Sequence, residues 1–149
     1  MTDVEIRTAQ EDDVPAVVAA YEWLFAPPGS PPPSWNPEIA ADRVRHAIAS
    51  DDSTVLIAVD SEVVGLCTAY LDILSVRFGR RCWVEDLATH PDRRSQGLGT
   101  LLLDAACSFA RTRGATHIEL DSGDARVRAH RFYEARTPSW TARSFGWVL

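Results

Sequence analysis

Apolar and polar positions change their period several times along the chain, and each change marks an element. Val4 to Thr8 alternates as a half-buried strand does, and Glu11, Asp12 and Asp13 then place acidic residues where a helix starts. Val14, Val17, Val18, Tyr21, Leu24 and Phe25 follow at helical spacing and predict one amphipathic helix with a single core-facing stripe. Residues 26–37 (APPGSPPPSWNP) hold six of the nine prolines and no charge. Proline fixes φ and lacks an amide proton, so this stretch predicts a semi-rigid surface loop carrying Trp35. Ala40, Val44, Ala47 and Ile48 share one face of a second helix running from about Glu38 to Ser50.

Two β-rich runs, Thr54 to Val59 and Val63 to Leu74, flank Asp60, Ser61 and Glu62 and predict an antiparallel hairpin. A third run, Cys82 to Thr89, is apolar except for Glu85 and Asp86 and stops at His90-Pro91-Asp92. A helix opens near Gly97, stripes through Leu98, Leu101, Leu102, Ala105 and Phe109, and ends at Gly114. A strand from His117 to Asp121, a short helix from Arg126 to Arg136 and a terminal strand from Trp140 to Leu149 complete the chain. The order β-α-α-β-β-β-α-β-α-β, without internal repeat, predicts an α/β (α+β mixed) fold. One mixed, mostly antiparallel central sheet is flanked by about four helices.

Length and composition narrow the function classes. The 149 residues give room for one domain, 1–149, and 46% hydrophobic with 24% charged residues describes a chain with a buried core. Disorder, coiled coil and collagen are excluded. Acidic residues outnumber basic ones 21 to 15, for a net charge of -6, so no basic footprint exists for nucleic acid or an anionic membrane. Every basic residue is arginine, which removes Schiff-base and P-loop lysine chemistry. Cys67, Cys82 and Cys107 are odd in number and widely spaced, which signals neither a disulfide framework nor a metal site. They are expected as small core hydrophobes in a reducing compartment. MTDVEIRTAQ has no apolar leader core and no run nears ~18 apolar residues, so the expected location is cytoplasmic.

Chemistry concentrates in Glu85 to Leu103 (EDLATHPDRRSQGLGTLLL), where a strand ends and a helix opens across Arg94-Ser95-Gln96-Gly97-Leu98-Gly99-Thr100. Free N–H groups and the positive dipole end of a helix start bind phosphate, and glycines let the backbone approach a diphosphate. Arg94 and Arg93 would add charge-assisted bonds. A dinucleotide motif needs glycine where Leu102 stands, and a P-loop needs Gly-Lys-Ser/Thr, so both readings fail on this segment. A plain turn remains the structural alternative.

Arg94-Ser95-Gln96-Gly97-Leu98-Gly99 after Glu85-Asp86-Leu87, with Ala129-His130-Arg131-Phe132-Tyr133-Glu134 after HIELDS, resembles the GCN5-related N-acetyltransferase (GNAT) superfamily across essentially the whole chain. The resemblance implies a fold with acetyl-CoA as co-substrate. It assigns Leu87, Ala88 and Thr89 to the pantetheine arm and thioester, and Arg94, Ser95, Gln96, Gly97, Leu98, Gly99 and Thr100 to the pyrophosphate. Tyr133 matches the general acid, and Glu85 the acidic strand residue that takes the amine proton. An alkyl ammonium near pKa ~10 needs such an acceptor before nitrogen attacks. Neighbouring strand residues point to opposite faces, so at most one of Glu85 and Asp86 reaches the cleft, and Glu85 is preferred.

Two positions depart from the family pattern. Arg126 stands where many members place a cofactor-contacting asparagine, and Thr137-Pro138 replaces a Gly-aromatic pair. Arg126 is retained as a phosphate contact. Trp23 and Trp35 would line the acceptor side beside the Pro-rich loop. Asp121 would either attract a cationic amine or cap a helix, and Tyr133 on spacing alone reads as an aromatic packed beside Phe132, which the resemblance reverses. The reading is acetyl transfer to a primary amine of a small molecule by direct attack in a ternary complex, with no cysteine nucleophile. A protein N-terminus or lysine as acceptor, a non-catalytic acyl-CoA-binding regulatory module and a dinucleotide oxidoreductase are the alternatives. Family habit implies a homodimer.

Overall fold

Strand β1 (Glu5–Thr8) is followed by a single 3-10 turn, and a charged clasp fixes the junction. The Arg7 guanidinium donates to both Asp13 carboxylate oxygens at 2.7 and 3.0 Å, and Gln10 N–H donates to Asp13 at 2.8 Å. The expected first helix is split in two, α1 (Val14–Ala20) and α2 (Glu22–Phe25), with Tyr21 between them. Helix α3 (Pro37–Ala49) starts one residue earlier than the pattern predicts. Asn36 accepts from Glu38 N–H and Ile39 N–H at 2.9 and 3.2 Å, and proline needs no amide partner in a first turn.

The computed structural model describes residues 3–149, in two compact units that divide after Glu119. In the first unit β2 (Ser53–Asp60) and β3 (Glu62–Ser75) form the expected hairpin, turning at Ser61, and β4 (Gly79–Thr89) is three residues longer than predicted. Helix α4 (Leu98–Thr112) and β5 (His117–Glu119) follow. The sheet order is β1-β2-β3-β4-β5, antiparallel throughout except for the parallel β4–β5 pair. This is the mixed, mostly antiparallel sheet the sequence predicts.

Each sheet face has its own helices. Val14, Val17 and Ala20 of α1, Val44 and Ala47 of α3, and Val55, Ile57 and Leu66 of the sheet form one buried cluster. Gly65 points the other way: a Cβ there would stand 2.9 Å from Leu102 Cδ1 of α4, so glycine allows that helix to lie close. Alternation along β3 therefore puts Leu66, Thr68 and Tyr70 on the α1/α3 face and Gly65, Cys67 and Ala69 on the α4 face.

The second unit, Leu120–Leu149, contains helix α5 (Val127–Ala135). The strand expected from Trp140 to Leu149 does not form. Its aromatic and β-branched residues have strand propensity, but that propensity measures fit to a paired, half-buried sheet surface. Residues 140–149 have no strand to pair with among the described residues, and Phe145 and Trp147 are 74% and 82% exposed. Among the described residues no helix is long and apolar enough to cross a membrane.

Candidate acyl-transfer site

Strand β4 supplies the carboxylates, and its register overturns one expectation about them. Thr68 lies opposite Asp86 and Ala69 opposite Val84, so Glu85 is an extra residue in a β-bulge. The bulge reverses the alternation. Trp83, opposite Tyr70, and Asp86, opposite Thr68, both lie on the α1/α3 face, and Glu85 joins them by accepting from Trp83 Nε1 at 2.9 Å. Adjacent carboxylates thus share one face instead of taking opposite ones, because the extra residue breaks the period of two.

Their surroundings differ. Glu85 is exposed, with Trp83 as its donor. Asp86 Oδ2 accepts from the Tyr21 hydroxyl and the Thr68 hydroxyl, each at 2.7 Å, and Asp86 N–H returns a bond to Thr68 Oγ1 at 3.2 Å. Burial, the negative charge of Asp86 and then that of Glu85 push the Tyr21 phenol far above its ordinary value, so it stays protonated and donates. Burial and the same two charges also raise Tyr70. Sequence reasoning placed Tyr21 in a core stripe and Asp86 on the far face. The bulge that joins them is a property of the pairing between strands and leaves no local signal.

Trp35, predicted on the Pro-rich loop, packs on Tyr21 and Phe25 with ring centroids 5.4 and 4.8 Å apart. Trp23 turns elsewhere and meets the edge of His90 at 5.3 Å. The two tryptophans expected to line one wall therefore contact different groups. Trp23 lies within α2 and Trp35 on the loop before α3, so the two approach from different elements.

The outer edge of β4 is open where the thioester is expected. Strand β5 pairs only with Arg81, Cys82 and Trp83, so residues 84–89 have no strand partner on that side among the described residues. His90 N–H donates to Val64 O at 2.9 Å, which turns residue 90 toward β3. By alternation Ala88 also faces β3, and the Leu87 and Thr89 backbone groups face the open edge.

The loop into α4 completes the anion-binding geometry. Ser95 and Gly97 adopt left-handed φ of 62° and 80°, and Leu101 N–H is bonded to Gly97 O at 3.1 Å. Leu98, Gly99 and Thr100 lie in the first turn, where no carbonyl lies one turn behind them. Buried Leu98 anchors that turn, and a Cβ on Gly97 would meet nothing within 4 Å. Arg94 is exposed, and no hydrogen bond or ion pair engages its side chain among the described residues. Arg93 is instead tied back, to Asp60 at 2.9 Å and to Gln96 Oε1 at 2.8 Å, so one of the two arginines expected to reach the anion braces the loop.

The remaining predicted site residues lie in the second unit. Arg126 is the residue before α5, and Tyr133 lies within that helix, half-buried, with its ring 5.4 Å from Phe132. Asp121 is exposed in the segment before α5.

The residues and geometry match a known family. The profile of the acetyltransferase (GNAT) family matches residues 17–137. An uncharacterized N-acetyltransferase, YhdJ, of Bacillus subtilis (strain 168) is 38% identical over 90 residues, which span 59% of this chain and 63% of that protein. A transcriptional regulator from Bacillus halodurans C-125 superposes with a TM-score of 0.81 at 22% identity, covering 98% of this chain and 99% of its own. The aminoglycoside N-acetyltransferase AAC(6')-Iy, in complex with CoA, superposes with a TM-score of 0.84 at 15% identity, covering 100% of this chain and 96% of its own. With the open edge of β4, the glycine-turned start of α4 and a family match over most of its length, the chain belongs to the acetyltransferase (GNAT) family.

Proposed function

We propose that the protein is an acetyl-CoA-dependent N-acetyltransferase acting on a primary amine of a small molecule, by direct attack in a ternary complex. The observation that carries this reading is the outer edge of β4 beyond Trp83, which has no strand partner among the described residues, in the same unit as the open first turn of α4. The first offers outward Leu87 and Thr89 backbone groups to a pantetheine arm; the second offers amides to a diphosphate. The CoA complex of the aminoglycoside acetyltransferase and the name of the Bacillus subtilis relative support the same chemistry.

Acetyl-CoA supplies the acyl group as a thioester. Glu85 accepts the proton of the acceptor ammonium, which frees the nitrogen lone pair to attack the carbonyl carbon. Leu87 N–H donates to the carbonyl oxygen as negative charge grows on it. Tyr133 gives its proton to sulfur as the carbon–sulfur bond breaks, and the second proton lost by the acylated nitrogen restores the phenol. Leu98, Gly99 and Thr100 amides with Arg94 hold the diphosphate, and Arg126 adds a further phosphate contact. The products are an acetamide and CoA, with no covalent enzyme adduct. We assign all 149 residues to one domain serving this reaction, with Trp23, Trp35 and Asp121 on the acceptor side.

Thiol release from acetyl-CoA with a panel of small amines tests the proposal. Release should require an amine. Tyr133→Phe should slow turnover by roughly 10²-fold or more, the size of one general-acid contribution, with CoA affinity nearly unchanged. Equal turnover in that variant would remove Tyr133 from the mechanism, and no release with any amine would refute the activity.

A further inference from the structure

The Pro-rich loop is held to the sheet in an unusual way. Hydrogen bonds at residues 26–36 stay local: Ala26 N–H to Glu22 O, Gly29 N–H to Ala26 O, Trp35 N–H to Pro32 O, and the Asn36 cap on α3. Among the described residues none of these reaches the sheet. The loop's ring contacts run through Trp35, which packs on Tyr21 and Phe25. Tyr21 in turn is tied by its hydroxyl to Asp86 at 2.7 Å, and Asp86 is pinned to β3 by the Thr68 hydroxyl at 2.7 Å. One bulge in β4 therefore does two things: it brings Glu85 onto this face and turns the next residue toward Tyr21.

We infer that Asp86 is a positioning residue that sets the acceptor side of the site, holding Trp35 and the 26–36 loop through Tyr21. Thr68 fixes the carboxylate, the carboxylate fixes the Tyr21 ring at its hydroxyl end, and the ring is the platform on which Trp35 sits. The acceptor wall and the proton acceptor Glu85 are thereby set by consecutive residues of one strand. Moving the Tyr21 ring would shift the wall without touching the residues that face CoA, Leu87, Thr89 and the start of α4. This inference rests on the proposed function for its kinetic consequence and on structure alone for its effect on the loop.

Tyr21→Phe keeps both ring contacts and removes one hydroxyl, and Asp86→Asn keeps the shape and removes the charge. Chymotrypsin cleavage after Trp35 should quicken by roughly 10-fold or more in each variant, the consequence of losing a hydrogen bond to a charged group. Arg45→Ala, which removes an exposed ion pair with Glu11, serves as the control and should cleave as the wild type does. The KM for the amine should rise by a similar factor while the KM for acetyl-CoA stays within about twofold. The double variant should be no worse than the more affected single one, because both act on the same bond. Unchanged cleavage and amine KM would overturn the inference, as would equal shifts in both KM values tracking a general loss of stability. If the wild type acetylates no amine, the proposed function fails and the cleavage comparison alone decides the positioning role.

Discussion

Gly97 and Gly114 form a natural pair of probes for the diphosphate site. They stand at opposite ends of α4 with φ of 80° and 79°, and a Cβ at either would meet nothing within 4 Å. Substitution by alanine therefore adds no clash at either place and imposes the same backbone strain. A left-handed residue other than glycine costs about 1–2 kcal/mol, which lowers a urea midpoint by about 0.5–1 M at a slope of ~2 kcal/mol/M. An exposed loop relieves such strain by turning φ negative, which at residue 97 re-aims the amides of Leu98 and Gly99. CoA must then restore the original turn, so its Kd rises by at most that strain, about 5- to 30-fold. Urea unfolding and calorimetric titration with CoA measure the two effects. Both variants should lose stability to a similar extent, and only Gly97→Ala should lose CoA affinity. Equal CoA affinity in the two variants would refute the placement of the diphosphate at the start of α4.

Three further outcomes follow from the packing and the charges. Gly65→Ala puts a Cβ 2.9 Å from Leu102 Cδ1 and 3.1 Å from Ala58 Cβ, so it should destabilise by about 1–3 kcal/mol in urea; an unchanged midpoint would contradict the close approach of β3 and α4. The guanidinium groups of Arg7 and Arg81 hold the Asp13 and Asp72 carboxyls below their ordinary value. Their contribution is fully present above the unfolded value near ~4 and is lost as pH falls through the lower folded value, so Asp13→Asn should flatten the acid limb of urea midpoint against pH. A limb of unchanged steepness would count against the clasp. Burial pushes the Cys67 thiol up to about 12 and the Cys82 thiol up to about 11, so both should resist iodoacetamide at pH 8 until urea unfolds the protein. Alkylation of the native protein at the rate of a free thiol would contradict their burial.

Much of the fold is legible in the sequence because its signals are local. The stripe from Val14 to Phe25, the hairpin around Ser61 and the glycine-bounded α4 each repeat a period over several residues, and each is helical or paired as expected, the first as two helices split at Tyr21. The failures concern relations between segments. Residues 140–149 have the composition of a strand but no strand pairing among the described residues, and pairing is a property of two segments. The same holds at the site. The glycine turn before α4 is visible from residue types alone, since only particular residues accept its geometry. The bulge at Glu85 is not, because it exists in the register against β3, and with it went the shared face of the two carboxylates and the Tyr21–Asp86 bond.

Amide chemical shifts followed on titration with CoA report where the cofactor's arm and diphosphate lie. The largest changes should fall on Leu87 and Thr89 at the open edge of β4 and on Leu98, Gly99 and Thr100 in the first turn of α4. Saturable binding that leaves those five amides unmoved, or no binding at all, would contradict that placement.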